Sequence, residues 1–380
     1  MAGNRKAVDT YLDHNATTPV RPEVADAVVC ALTQHGNASS VHRFGRLVRH
    51  TLDEARESVA VLVGVSPASI IFTSGGTEAN NQALRDFDGH VLVSAVEHDS
   101  VLGAREDALV VDTDADGVVV LGHLRETLAS CEGAALVSVM LANNETGALQ
   151  PLRDVMRVAH EYGALVHCDA VQAAGKINVS FADLGVDMMS LSAHKLGGPQ
   201  GVGALIVRDG LDPEPLLRGG GQERRRRAGT ENVAGIAGFG AAARIALENL
   251  DWFAGLTKLR DDLESRLRAA VPDVVIHAID AERLPNTSCI GLPGMTAEMQ
   301  VMQLDLAGVA VSAGSACSSG KVAPSHVLQA MGQDDAAAQS AIRVSLGWNS
   351  DARDVDRFVD TWVTMAQRRG ANADARRSVA

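Results

Sequence analysis

The chain has 380 residues, enough for one large domain or two ordinary ones, and its 46% apolar and 21% charged side chains exclude a disordered or fibrous polypeptide. Thirty-four basic against forty-seven acidic side chains leave a net charge of −13, which argues against direct nucleic-acid binding. The longest nearly apolar run, Ala134 to Ala142, is too short to cross a bilayer, and the opening MAGNRKAVDT carries no secretory apolar stretch, so a cytoplasmic protein with no membrane partner is expected.

Helical spacing comes first: Val48, Leu52, Ala55, Val59 and Leu62 form one apolar stripe at steps of four and three. Short apolar runs ending in small polar residues then alternate with amphipathic segments: SIIFTS before GGTEANNQALR, HVLVSAVEH before DSVLGAREDA, ALVSVMLANNE before PLRDVMRVAHEYG. That alternation predicts an α/β protein with a mostly parallel sheet covered by helices. Three further runs follow closely, ALVHCDAVQ, MMSLSAHK and GVGALIVR, and the short connections make the middle one an edge or reversed strand. From Asp251 the rhythm changes to a helix through Leu256, Leu259, Leu263 and Leu267, short strand-like runs, the Gly/Ser stretch Ser312 to Gly320, and a last helix through Phe358 and Trp362. The expected organisation is a large domain over 16–250 and a smaller α+β domain built from 1–15 and 251–380. The polar tail RRGANADARRSVA reads as loose.

Ligands of open parallel sheets bind beyond the carboxyl ends of the strands. Thr77, His98, Asn143, Asp169, Gln172, His194 and Lys195 all follow such ends and are expected to converge on one cleft. Lysine is scarce enough for elimination. Lys6 lies in a polar leader, Lys258 on a solvent-facing helix side, and Lys176 and Lys321 in loops with no apolar run before them; Lys195 alone ends a strand. A desolvated lysine forms a Schiff base with an aldehyde, the anchoring chemistry of pyridoxal 5'-phosphate. Asp169 is placed to face the pyridine nitrogen of that cofactor, Gln172 the ring hydroxyl. Ser74-Gly75-Gly76-Thr77 leads straight into a helix and offers backbone N–H groups and a hydroxyl to a phosphate, with Ser192 and His194 alongside; a plain tight turn is the alternative for the glycines, a solvated surface charge for an isolated lysine.

The five cysteines, Cys30, Cys131, Cys168, Cys289 and Cys317, contain no C-x-x-C pair, so neither a metal site nor a disulfide framework is predicted. Cys317 differs from the others because SAGSACSSG gives it no core neighbours, implying an exposed thiol rather than a flexible linker. Arg343, inside the apolar strand AIRVSLGWN, requires an anion, either a substrate carboxylate or an internal Asp or Glu.

With these residues in place the chain resembles the group I cysteine desulfurases, pyridoxal-phosphate enzymes of the class V aminotransferase family with the aspartate aminotransferase-like fold, fold type I. The resemblance runs in order through YLDHNATTP, GNASSVHRFGR, FTSGGTEANN, EHDSV, NNETG, HCDAVQ, SLSAHKLGGPQGVGAL, RGGGQERRRRAGTEN, SAGSACSSG and IRVSLG. It implies that Lys195 anchors the cofactor, Asp169 pairs with its ring nitrogen, Gln172 bonds the ring oxygen and His98 stacks on the ring. Gly76, Thr77, Ser192 and His194 would hold the phosphate, completed by Thr230 from the partner subunit of a homodimer. Asn143 and Arg343 would hold the carboxylate of L-cysteine, and Cys317 would take its sulfur as a persulfide and pass it to a sulfur-acceptor protein. A cationic or basic neighbour such as His98 is expected to activate that thiol.

The chain departs from the family at Gln222 and Gln200, expected to lie outside the core chemistry, and in the run Arg224 to Arg227, which reads either as a solvated cluster or as an altered docking site for the acceptor. The resemblance leaves open a selenocysteine lyase, another C–S lyase or an aminotransferase, and a cofactor-bearing scaffold for sulfur-carrier proteins that does not turn over. It also leaves open the final use of the sulfur, among iron–sulfur cluster assembly, tRNA thiolation, DNA phosphorothioation and sulfur metabolites.

Overall fold

A computed structural model describes residues 10–314 and 323–377. Strand β1 (Thr10–Tyr11) belongs to the smaller half of the molecule. The next seven strands make the central sheet: β2 (Ile70–Thr73), β3 (His90–Ser94), β4 (Leu109–Val111), β5 (Ala135–Ser138), β6 (Leu165–Asp169), β7 (Met188–Ser192) and β8 (Gly203–Val207). Their order across the sheet is β2-β8-β7-β6-β5-β3-β4. Strands β5, β7 and β8 are buried along their whole length, and β6 at all but its first residue. That is why the sequence shows them as continuous apolar runs rather than alternating ones: helices cover both faces.

All neighbouring pairs from β4 to β7 are parallel, whereas β8 runs antiparallel to both β7 and β2. The reversed strand is therefore β8 and not the MMSLS strand β7, which lies between β6 and β8 and runs parallel to β6. The reversal follows from the short connection after Lys195, which leaves no room for the crossover a parallel pair needs. Across the middle of the sheet the buried His167 ring joins three strands, one nitrogen 2.9 Å from Ser138 Oγ and the other 2.9 Å from Ser190 Oγ. Burial lowers its pKa to about 3, so the ring is neutral.

The stripe Val48, Leu52, Ala55, Val59 and Leu62 is buried on the helix Arg43–Val63, which ends at Gly64 in the left-handed conformation (φ 69°) that glycine adopts without strain. It packs on the helix Val233–Glu248, where a Cβ on Gly240 would come within 2.5 Å of Ala55 Cα. The latter helix has no polar face, so it leaves no 3.6-residue pattern in the sequence.

The remaining strands are β9 (Val275–His277), β10 (Thr287–Gly291), β11 (Val309–Ala310), β12 (Ser312–Ala313) and β13 (Ala341–Ser345). They form a four-stranded sheet in the order β12-β13-β10-β9, and β11 pairs with β1. A second apolar core gathers Leu12 with Leu263, Leu267, Phe358 and Trp362, separate from the core under the large sheet. The last helix, Ala352–Arg377, extends well into the tail that the sequence reads as loose; its alanines and arginines are good helix formers. DSVLGAREDA makes only a four-residue helix, Asp99–Leu102, closed by Gly103. Cys317 lies outside the described residues, between Gly314 and Ala323.

Candidate active site

The carboxyl ends of β2, β6 and β7 open on a cavity of about 290 Å³. Thr77, His98, Asp169, Gln172, Ser192, His194 and Lys195 line it together with Gly76. Two adjoining hollows share its walls. One, of about 790 Å³, lies over the turn Ser74 to Thr77; the other, of about 470 Å³, reaches Arg343 and is rimmed by Gly314 and Ala323, the residues flanking the segment that holds Cys317.

Lys195 sits in a single 3-10 turn after β7, and its Nζ donates to the backbone carbonyls of Asn15 and, at 2.8 Å, Ala16. Burial and then the Arg343 guanidinium lower its pKa to about 8, against the opposing pull of Asp13 and Asp169. The site thus holds an amine that gives up its proton near neutrality. His194, half-buried beside Lys195, is lowered to about 4 by desolvation and then by the Lys195 charge and is neutral; its Nδ1 lies 3.2 Å from Thr17 Oγ1.

Asp169 closes the far end of the cavity. One carboxylate oxygen accepts from the Val171 N–H at 2.9 Å and the other from Asn80 Nδ2 at 2.8 Å. Asn80 lies on the helix Gly76–Leu84 and also donates to Ser100 Oγ, so the phosphate-side helix orients the carboxylate. His98 Nδ1 accepts from the Ser100 N–H at 3.0 Å, which leaves Nε2 as the ring's N–H donor. The helix Gly76–Leu84 presents its first N–H groups at the cavity wall, as its geometry dictates. Gly76 has no side chain where a Cβ would come within 2.9 Å of Val171 Cγ2, and Gly203 none where it would strike the backbone of Gly75 at 2.7 Å.

Asn143 does not reach the cavity. Its side chain is buried inside its own turn, Oδ1 accepting from the N–H groups of Glu145 (2.8 Å) and Thr146 (3.0 Å) and Nδ2 donating to the Val96 carbonyl (3.0 Å). Asn144 lines the wall instead. Strand periodicity does not separate the two adjacent amides; it is the turn bonds made by Asn143 that leave Asn144 for the wall.

Arg343 on β13 has the internal partner that the sequence left open. Its Nη2 donates to Asp13 Oδ1 at 2.8 Å and its Nη1 to the Asn144 carbonyl at 3.1 Å, while the buried Nε has no partner among the described residues. A guanidinium carries five N–H donors, so capacity for a further anion remains.

Thr230 is exposed and does not line the cavity or the two adjoining hollows of its own chain. Gln200, expected outside the chemistry, lines the hollow over the phosphate turn with its Nε2 3.5 Å from Thr17 Oγ1. Gln222 accepts from the Gly229 N–H at 3.3 Å and braces the approach to Thr230. The arginine run is only half solvated: Arg224 and Arg225 are exposed, but Arg226 donates to the Ala68 carbonyl and Arg227 to Glu78 and Ser74 Oγ. Buried Glu223 anchors the turn through Arg56 and the Phe72 N–H. Glu223, Arg224 and Arg225 all take positive φ, 45°, 56° and 70°.

These residues fit one cofactor. A helix start with a hydroxyl and a neutral imidazole meets a phosphate, an oriented carboxylate meets a ring nitrogen, and an amine of lowered pKa lies between them. The sequence profile of the class-V aminotransferases matches residues 10–358. The chain belongs to that family.

An IscS-like cysteine desulfurase of Mycobacterium tuberculosis is 42% identical over 388 residues, covering 97% of each chain. A cysteine desulfurase of Cereibacter sphaeroides is 43% identical, with 92% of this chain and 94% of the relative aligned. Among solved structures, the NifS-like protein of Rickettsia africae superposes with a TM-score of 0.87 at 36% identity, covering 93% of this chain and 98% of the other. The chain is thus a pyridoxal-phosphate-dependent class-V enzyme of the cysteine desulfurase branch, with the fold type I architecture that the sequence implied.

Proposed function

We propose that the enzyme removes sulfur from L-cysteine, giving L-alanine and a persulfide on Cys317 that is handed to a sulfur-acceptor protein. The observation that carries this is the pairing of an amine of lowered pKa, Lys195, with a partly unsatisfied guanidinium, Arg343, on two walls of one continuous hollow whose rim flanks the Cys317 segment. Pyridoxal phosphate, when bound, supplies the electron sink that makes the Cα–H of an amino acid acidic.

The protein residues do the rest. Lys195, having lost its proton, would be the group that holds the cofactor and, when free, would take the proton from the substrate Cα. Asp169, fixed by Asn80, would keep a proton on the ring nitrogen, Gln172 would donate to the ring oxygen and His98 would pack against the ring. Gly76, Thr77, Ser192 and neutral His194 would hold the phosphate. Arg343 and Asn144 hold the substrate carboxylate. The Cys317 thiolate attacks the substrate sulfur: an S–S bond forms, the Cβ–S bond breaks, and its electron pair stays with the carbon fragment, which becomes alanine on protonation.

Two copies pair, in this reading, through the exposed apolar positions Val29, Leu32, Val41 and Phe44, and Thr230 completes the partner's phosphate site. A cytoplasmic setting suits the four described cysteines, all unpaired, and a catalytic thiol that has to stay free. Iron–sulfur cluster assembly is one acceptor route of this kind.

Replacement of Cys317 by Ala tests the reading. The yellow cofactor is retained and alanine formation from cysteine stops. Undiminished alanine formation would instead favour an aminotransferase or another C–S lyase, and no alanine from the wild-type protein with a reductant present would favour a scaffold.

A further inference from the structure

The mechanism gives Lys176 nothing to do, yet it is 3% exposed and lies one turn of chain beyond Gln172 at the edge of the active site. Its Nζ is 2.7 Å from Gln172 Oε1 and 2.7 Å from Asn15 Oδ1. Both partners are neutral amides. Burying an amine without a carboxylate beside it is costly, so the arrangement calls for a compensating use. Burial, followed by the positive charges of Lys195 and Arg343, holds its pKa well below the ordinary lysine value.

Two contacts fix which way the Gln172 amide faces. A backbone carbonyl only accepts, so the end 2.9 Å from the Asn15 carbonyl is the NH₂ group, and the oxygen is left for Lys176. Asn15 is itself immobilised: its Nδ2 donates to Thr287 Oγ1 at 2.9 Å and its Oδ1 also accepts from Asn286 Nδ2 at 3.1 Å. The Asn15 carbonyl that Gln172 Nε2 reaches is the one that Lys195 Nζ also contacts. Gln172 thus turns its donor end toward the anchoring amine and its acceptor end away from it.

We propose that Lys176 is a positioning residue that holds the Gln172 oxygen, so that the ring oxygen of bound pyridoxal phosphate meets an N–H donor and never the amide carbonyl. The inference rests on the placement of Gln172 at the ring oxygen given above. A donor there stabilises the negative ring oxygen and lowers the basicity of the nitrogen that joins Lys195 to the cofactor; a flipped amide does the reverse. Arg343, Asp13, Asp169 and His98 also face that nitrogen's surroundings and stay constant among the variants below.

Wild type, Lys176→Met, Gln172→Ala and the double variant are loaded with pyridoxal phosphate, and the visible absorbance band of each is titrated with pH. Lys176→Met should raise the midpoint by about one pH unit, the scale of one hydrogen bond to a charged group. Gln172→Ala should raise it similarly, and the double variant no further. The cofactor-free Lys176→Met protein should melt no lower than wild type, because an apolar isostere replaces a buried amine.

A wild-type midpoint in Lys176→Met, or a shift that adds fully to that of Gln172→Ala, overturns the proposal. An unmoved midpoint in Gln172→Ala itself overturns the placement of Gln172 and the proposal with it. Should Lys176→Met fail to fold, Lys176→Gln, whose amide can present either end, should give a smaller shift in the same direction, and none would overturn the inference.

Discussion

The two walls of the active site are built differently. The cofactor wall is made from short stretches that follow single strands, and two of its side chains are fixed by the large domain's own loops and helices, Asp169 by Val171 and Asn80 and His98 by Ser100, while Lys195 reaches across to the carbonyls of Asn15 and Ala16. The substrate wall is assembled across the whole chain. Asp13 meets Arg343 and Asn15 meets Thr287 and Ser345, joining the first residues described to β10 and β13, and Glu145 accepts from Ser325 at 2.6 Å. One wall is inherited from the large core; the other exists only when both cores are assembled against each other.

The comparison breaks most visibly at Lys195. Lys195→Ala should cut alanine formation by at least about 10³-fold and abolish the borohydride-fixed adduct of the cofactor while the fold is retained. A residual rate near wild type would mean that the cofactor wall does not carry the reaction.

The substrate wall should respond in KM with the cofactor still bound. Arg343→Leu removes a charge-assisted contact, and KM for cysteine should rise roughly 10- to 100-fold. Asp13→Asn leaves the guanidinium present but less firmly aimed, and a rise of about 3- to 10-fold is expected.

The walls are also coupled through the Lys195 amine, and pH shows it. With a pKa of about 8, roughly a tenth of the amine is neutral at pH 7, against about one part in three thousand for an ordinary lysine. The rate at which the cofactor-free enzyme takes up pyridoxal phosphate should therefore rise with pH and level off above about 8. Arg343→Leu removes a lowering influence and should move that midpoint up, whereas Asp13→Asn removes a raising one and should move it down. Stopped-flow absorbance over pH 6 to 10 measures both, and midpoints that stay put would separate the walls electrostatically.

A change off both walls sets the smallest effect. Arg225 is exposed at φ 70°, where a side chain strains the backbone and glycine does not. Arg225→Gly should stabilise the protein by about 0.5–1 kcal/mol in denaturant unfolding and leave kcat and KM unchanged.

The same contrast explains how much the sequence revealed. Asp169, Gln172 and Lys195 could be found because each follows an apolar run within a few residues, and the turn before Thr77 announces itself by its glycines. Asn143 was one residue off because strand periodicity marks where a run ends but not which of two adjacent amides closes the turn. Asp13 as the partner of Arg343, and Lys176 as a buried amine, had no local sign at all; their environments come from segments distant in the chain. The buried helix Val233–Glu248 escaped because it lacks a polar face, and the reversal of β8 because a fully buried strand reads alike in either direction.

That reversed strand acts as a spacer. Because β8 is inserted between β2 and β7, the turn that receives the phosphate and the turn that carries Lys195 stand two strand separations apart, about 10 Å. The hydrogen-bonded sheet, rather than any side chain, thereby sets the span between anion cradle and amine, and an aldehyde whose acidic arm is much shorter would touch one side and miss the other.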